Sequence, residues 1–192
     1  MVRWSLPACL VAALLAIGCG DPPNREINQA QGAIDAARAA GADQYATTEY
    51  TAAVDALKSA QDAVGQRDYR LALDRAIESR ERAQIAARDG ANSKAQVRGE
   101  VERMMAEIAT LVAQANVRLD AAGKARVSAR MLREPTEAVA AINAEMQKAG
   151  EAIRAGDYLS SRRLLENLKD RIQNTIAAID AAMAQQAGRR RR

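Results

Sequence analysis

One thiol and one run of arginines are the side chains whose type and place suggest chemistry of their own. Cys19 ends the stretch Leu14-Leu15-Ala16-Ile17-Gly18-Cys19 and is followed by Gly20-Asp21-Pro22-Pro23. A cysteine thiolate is a nucleophile that can accept an acyl or alkyl group. Gly188 is followed by Arg189, Arg190, Arg191 and Arg192. Guanidinium groups in series suit phosphates or carboxylates on an anionic surface. The sequence has no histidine, which removes a Ser-His-Asp or Cys-His arrangement and the commonest zinc ligand. No glycine pattern resembles a phosphate-binding loop. The acids mostly alternate with Arg and Lys, as in Glu78, Arg80, Glu81 and Arg82, which is the pattern of a solvated helix face. No carboxylate pair stands out for glycoside chemistry. The expectation is no enzyme, no cofactor, no metal and no small-molecule substrate.

Cys19 gains meaning from what surrounds it. Met1 and Arg3 precede an apolar run from Leu10 to Ile17, and polar residues and prolines end it abruptly. That order reads as a secretory signal, and it is too short for a membrane-crossing helix of about 20 residues. Small residues leading into a cysteine resemble a bacterial lipobox. The resemblance implies removal of residues 1–18 and attachment of lipid to the Cys19 sulfur. Several acyl chains would hold the protein stably, since each buried methylene contributes about 0.8 kcal/mol. Cys9 leaves with the signal, so the mature chain has no second thiol for a disulfide.

The net charge of +4 is located mainly at one end. Without Arg3 there are 27 Lys and Arg against 24 Asp and Glu, and four of the 27 are Arg189 to Arg192. A second basic stretch holds Arg118, Lys124, Arg126, Arg130 and Arg133, with Asp120 as its acid. A helix over 124–133 would put Arg126, Arg130 and Arg133 on one side. Nucleic acid is not an expected partner, because export separates the two and stacking aromatics are nearly absent.

The elements that must present these residues are helices. No proline falls between Asn24 and Glu134, and apolar residues recur at three and four, the helical period. A first helix runs from an Asn24 cap to about Ala39, with Ile27, Ile34 and Ala37 on one face and Gly41-Ala42-Asp43 as its stop. Thr47 or Thr48 caps the second, whose buried face is Tyr50, Val54, Leu57, Ala60 and Val64. After Gly65-Gln66-Arg67, Asp68 caps a third with Tyr69, Leu73, Ala76 and Ile77, ending near Asp89-Gly90. Ser93 and Gln96 form a capping box before a stripe of Val101, Met104, Met105, Ile108, Leu111, Val112, Ala115 and Leu119, interrupted by Gly123. Pro135 suits the first turn of the next helix, with Val139, Ile142, Met146, Ala149 and Ile153. Gly156 stops that helix and Asp157 caps a last one bearing Leu165, Leu168, Ile172, Ile176, Ile179 and Met183.

The segment Leu57 to Tyr69 aligns without gaps to Met146 to Tyr158, through the turn and into Asp-Tyr. The reading is all-α: an antiparallel helical array of two similar three-helix units, 24–90 and 93–187. Residues 19–23 form the lipidated cysteine and tether, and 188–192 the basic tail. Alanine has the highest helix propensity but buries little area, so the core is expected to be modest in stability at about 25 cal/mol per Å².

Ala39-Ala40-Gly41-Ala42-Asp43-Gln44-Tyr45-Ala46, Glu49-Tyr50, and Arg67-Asp68-Tyr69-Arg70-Leu71-Ala72, behind the Cys19 signal, resemble bacterial lipoproteins of the domain-of-unknown-function 4398 family. The resemblance is best over 26–90 and weaker over 115–185, where Leu159-Ser160-Ser161 lacks the usual alanine. It implies an envelope lipoprotein with hairpins similar to tetratricopeptide units, and it carries over no catalytic residue. The expected role is a non-enzymatic scaffold or protein-binding module. It would be anchored by lipid, with an envelope protein or the cell wall as partner. Gly20 after the cysteine favours the periplasmic face of the outer membrane, by analogy with enteric bacteria. The alternative is a spacer that contacts the wall or self-associates through a coiled-coil seam, for which the stripe from Val101 to Leu119 is the candidate.

Overall fold

The computed structural model describes residues 21–190, with Arg190 as backbone only. Residues 1–18, expected to be a signal, lie outside the described residues, as do Cys19, Gly20, Arg191 and Arg192. The chain is all-helical, and no strand occurs among the described residues. The helices are α1 (Asn24–Ala39), α2 (Ala42–Tyr45), α3 (Thr47–Gly65), α4 (Tyr69–Lys124), α5 (Ala129–Arg154), α6 (Tyr158–Leu165) and α7 (Leu168–Arg190). Contacts divide the chain into one unit up to Ala91 and another from Asn92.

The first unit packs on alanine. Ala30 and Ile34 of α1, Ala53 and Leu57 of α3 and Ala83 of α4 form one cluster; Ala37, Ala42 and Ala86 form a second. In the first unit's part of α4 the fully buried side chains are Ala72, Ala76, Ser79, Ala83 and Ala86. Leu73 and Val54, expected inside, are 37% and 38% exposed, and Ile77 and Val64 are half-buried. Small residues let the helix backbones approach closely, so alanines take most of the seam and Ile34 and Leu57 supply its larger side chains. Ser79 marks this closeness: its hydroxyl donates to the Ala53 carbonyl at 2.8 Å. Arg82 pairs with Glu49 at 3.3 Å, so α3 and α4 run antiparallel.

Helix α4 does not end near Gly90, and Ser93 caps nothing. Gly90 serves a close approach instead. A Cβ there would meet the Ala42 Cα at 2.8 Å. Its backbone keeps the helical conformation, so glycine costs propensity without breaking the helix.

The second unit has a larger apolar core. Val101, Ile108, Ala115 and Ala122 recur every seven residues on α4, and all are buried. Leu165, Leu168, Ile172, Thr175, Ile179 and Ala182 keep the same spacing through α6 and α7 and are buried too. A seven-residue repeat underwinds the helices into a left-handed supercoil. The stripe proposed as a seam for a second molecule is therefore covered from within the chain, by α5, α6 and α7. Three ion pairs flank it in register: Glu100–Arg162 at 3.7 Å, Glu107–Lys169 at 2.7 Å and Arg118–Asp180 at 3.2 Å. Residue numbers rise together on both sides, so this part of α4 lies parallel to α6 and α7. Helix α5 packs into the same core and is tied to α7 by Arg171 and Glu145 at 2.7 Å.

Several ends differ from the sequence reading. Pro23 rather than Asn24 occupies the cap of α1, and Ala46 rather than a threonine that of α3; neither makes a side-chain cap bond. Pro135 sits inside α5, which begins at Ala129. Its ring forgoes the bond to the carbonyl four residues back; it is buried, and next to it Thr136 donates its hydroxyl to Leu132 O at 2.7 Å. The last helix is two, parted at Glu166 and Asn167.

Candidate functional site

Two turns built from the aligned segments share one geometry. At the end of α3, Arg67 N donates to Val64 O and Asp68 N to Ala63 O. At the end of α5, Gly156 N donates to Ile153 O and Asp157 N to Ala152 O. Arg67 and Gly156 take the left-handed conformation, with φ of 60° and 78°. That closure satisfies the last carbonyls of each helix. The next residue then caps the following helix: Asp68 Oδ1 accepts from Leu71 N, and Asp157 Oδ1 from Ser160 N, each at 3.0 Å. Ser160 holds the Asp157 carboxyl below its ordinary pKa, through its side chain and its amide. Ser161, standing where the first segment has Ala72, is buried because its hydroxyl donates to Ala149 O at 3.1 Å.

A third turn of the same kind gathers the basic stretch. Arg126 N donates to Gly123 O and Val127 N to Ala122 O, with Arg126 at φ 59°. Helix thus stops at Lys124, and Arg126 does not share a helix face with Arg130 and Arg133 as expected. Val127 plugs the core beneath the turn, 7% exposed. Gln186 of α7 donates through Nε2 to Arg126 O at 3.1 Å. One end of the second unit therefore brings together Lys124, Arg126, Arg130, Arg133 and Arg189, all exposed.

Their partners sort them. Arg118 pairs with Asp180. Lys124 pairs with Asp120 at 2.6 Å, and that hydrogen bond raises its pKa. Arg133 reaches Glu137 only at 4.0 Å, with both side chains exposed. Arg126, Arg130 and Arg189 have no ion pair among the described residues. A shallow depression beside them is lined by Ala129, Arg130, Leu132, Arg133, Thr136 and Glu137.

Of the residues singled out for function, Arg189 is exposed on α7 and Arg190 continues that helix; Cys19, Arg191 and Arg192 lie outside the described residues. Sequence reading missed Asp180 as the partner of Arg118 and Gln186 as the brace of the turn. Both follow from the parallel register of α4 and α7, which the shared seven-residue spacing could have revealed. Among the described residues no three or more acids or cysteines are placed to hold a metal ion, and no helix is long and apolar enough to cross a membrane.

Residues 25–101 match the model of a domain of unknown function (DUF4398). The match covers the first unit from Arg25 onward and continues along α4 as far as Val101; the weaker resemblance read over 115–185 lies beyond it. Comparison with curated proteins gives no match. Comparison with solved structures gives none.

Proposed function

We propose that this chain is a non-enzymatic lipoprotein of the bacterial envelope, anchored through lipid on Cys19 and acting as a helical scaffold or protein-binding module. The observation that carries this reading is the order at the N-terminus. A basic start, an apolar run and small residues end on Cys19, and Gly20-Asp21-Pro22-Pro23 separates it from the first helical residue, Asn24. The prolines keep that segment out of the helix, as a tether requires. Gly20 favours the periplasmic face of the outer membrane. Binding a partner through helix faces, rather than catalysis, accords with a sequence without histidine.

The finer architecture belongs to the same proposal. The chain is a duplication of a three-helix unit with tetratricopeptide-like hairpins. The matched turns at Gln66-Arg67-Asp68 and Ala155-Gly156-Asp157 support it, down to the position of the left-handed residue.

Fractionation of cells expressing the parent and a Cys19→Ser variant tests the anchor. The parent is expected with the membranes and resists salt extraction; the variant is expected in the soluble envelope fraction. Equal membrane association of both would refute anchoring through Cys19. Capture of envelope proteins by both forms tests the scaffold role, and a partner retained by the variant would be recognised by the helices themselves.

A further inference from the structure

We infer that the basic end of the second unit, formed by Arg126, Arg130, Arg133 and Arg189, docks on a membrane surface rich in anionic phosphate headgroups. Three separate elements deliver these side chains: the turn after α4, the first turns of α5 and the last turn of α7. Gln186, bonded to Arg126 O at 3.1 Å, holds the α7 end against the turn.

Helix electrostatics do not account for the whole set. A cation near the end of α4 or α7 is favoured by the negative pole of its helix, which explains Lys124 and Arg189. Arg130 lies in the first turn of α5, where the pole is positive and an acid would be favoured. That turn contains no acid, and its cap residue Ser128 makes no side-chain cap bond. Among the acids nearby, Asp120 is engaged with Lys124 and Asp180 with Arg118. Glu137 in the depression reaches Arg133 only at 4.0 Å, and Glu134 makes no ion pair among the described residues, so the arginines outnumber the free carboxylates. Arg126, Arg130 and Arg189 thus form no ion pair among the described residues, and Arg130 stands against the pole of its own helix.

The shape of the surface selects the partner. The depression at Arg130 and Arg133 is shallow and includes Leu132 and Thr136, so it does not enclose a small anion. A flat array of phosphates can engage several spread positive charges at once, each nearby cation contributing on the order of 1 kcal/mol. This docking does not depend on lipid at Cys19 and stands or falls apart from it.

The test uses residues 20–192 without lipid, which contain every described helix, and sedimentation with vesicles. Vesicles of phosphatidylglycerol and phosphatidylethanolamine should bind the protein, and phosphatidylcholine vesicles should not. Binding should fall steeply with salt, because the screening length shrinks to about 3 Å at 1 M. The combined variant Arg126→Gln, Arg130→Gln, Arg189→Gln should bind roughly tenfold more weakly or worse, while Arg→Lys at the same positions should retain most binding. Circular dichroism melts of both variants would establish that they are folded. The inference is overturned if the parent ignores anionic vesicles or binds both kinds equally. It is also overturned if the folded glutamine variant binds as well as the parent, or if polyphosphate is bound and vesicles are not.

Discussion

At Gly90 a single methyl group separates two outcomes. A Cβ there would press on the Ala42 backbone at 2.8 Å, so Gly90→Ala should destabilise by about 1–3 kcal/mol in urea melts, the usual range for overpacking. Gly99 lies in the same helix with nothing within 4 Å of a Cβ. There the substitution should stabilise by about 0.5–1 kcal/mol, through backbone entropy alone. Asp157 offers a test in pH. Its carboxyl accepts from Ser160 and its folded pKa is lowered. A lowered folded pKa means the cap stabilises above the unfolded value near 3.9, and its contribution is lost as pH falls through the folded value. Asp157→Ala should therefore cost about 1 kcal/mol at neutral pH, and the gap from the parent should close below about pH 4. Both aspartate caps were legible in the sequence, because the short acidic side chain follows a turn signal. The role of Gly90 was not. A glycine at the end of an apolar face reads locally as a stop, and the backbone it accommodates lies 48 residues away in α2.

Among the elements, those with strong periodicity were read at nearly their observed extents. Helix α1 and the face of Ile34 and Ala37 came from spacing alone, as did the Leu165 to Met183 stripe. The failures occurred where alanine carries the seam. Hydrophobic patterning weights Leu73 and Val54 above Ala72 and Ala53, yet close helix approach selects the smaller residues. Ladders and cores should also differ in weight. Ile172→Ala, in the fully buried seam of α7, should cost about 2–5 kcal/mol in chemical denaturation. Arg118→Gln removes an exposed ion pair with Asp180 and should leave the midpoint close to the parent's, because surface pairs contribute little. The basic stretch was legible as composition. Its division into paired and free arginines was not, because Asp180 and Gln186 reach it from a helix about 60 residues downstream.

For the molecule as a whole, the contrast between the two cores sets an order of local stability. The first unit buries mainly alanine, whereas the second buries Val, Leu and Ile along α4, α5, α6 and α7. With area contributing about 25 cal/mol per Å², backbone amides in the middle of α1 and α3 should exchange with deuterium faster than those of α5 and α7. Equal protection would contradict that reading of the cores. The all-helical class was legible from composition and period; the proposed role rests on the N-terminus alone, where one cysteine ends a stretch that reads as an export signal. The most direct measurement is therefore intact mass spectrometry of the protein purified from bacterial membranes. The account predicts a chain that begins at Cys19 and carries the added mass of acyl groups on that residue. A chain beginning at Met1, or at Cys19 with no added mass, would contradict it.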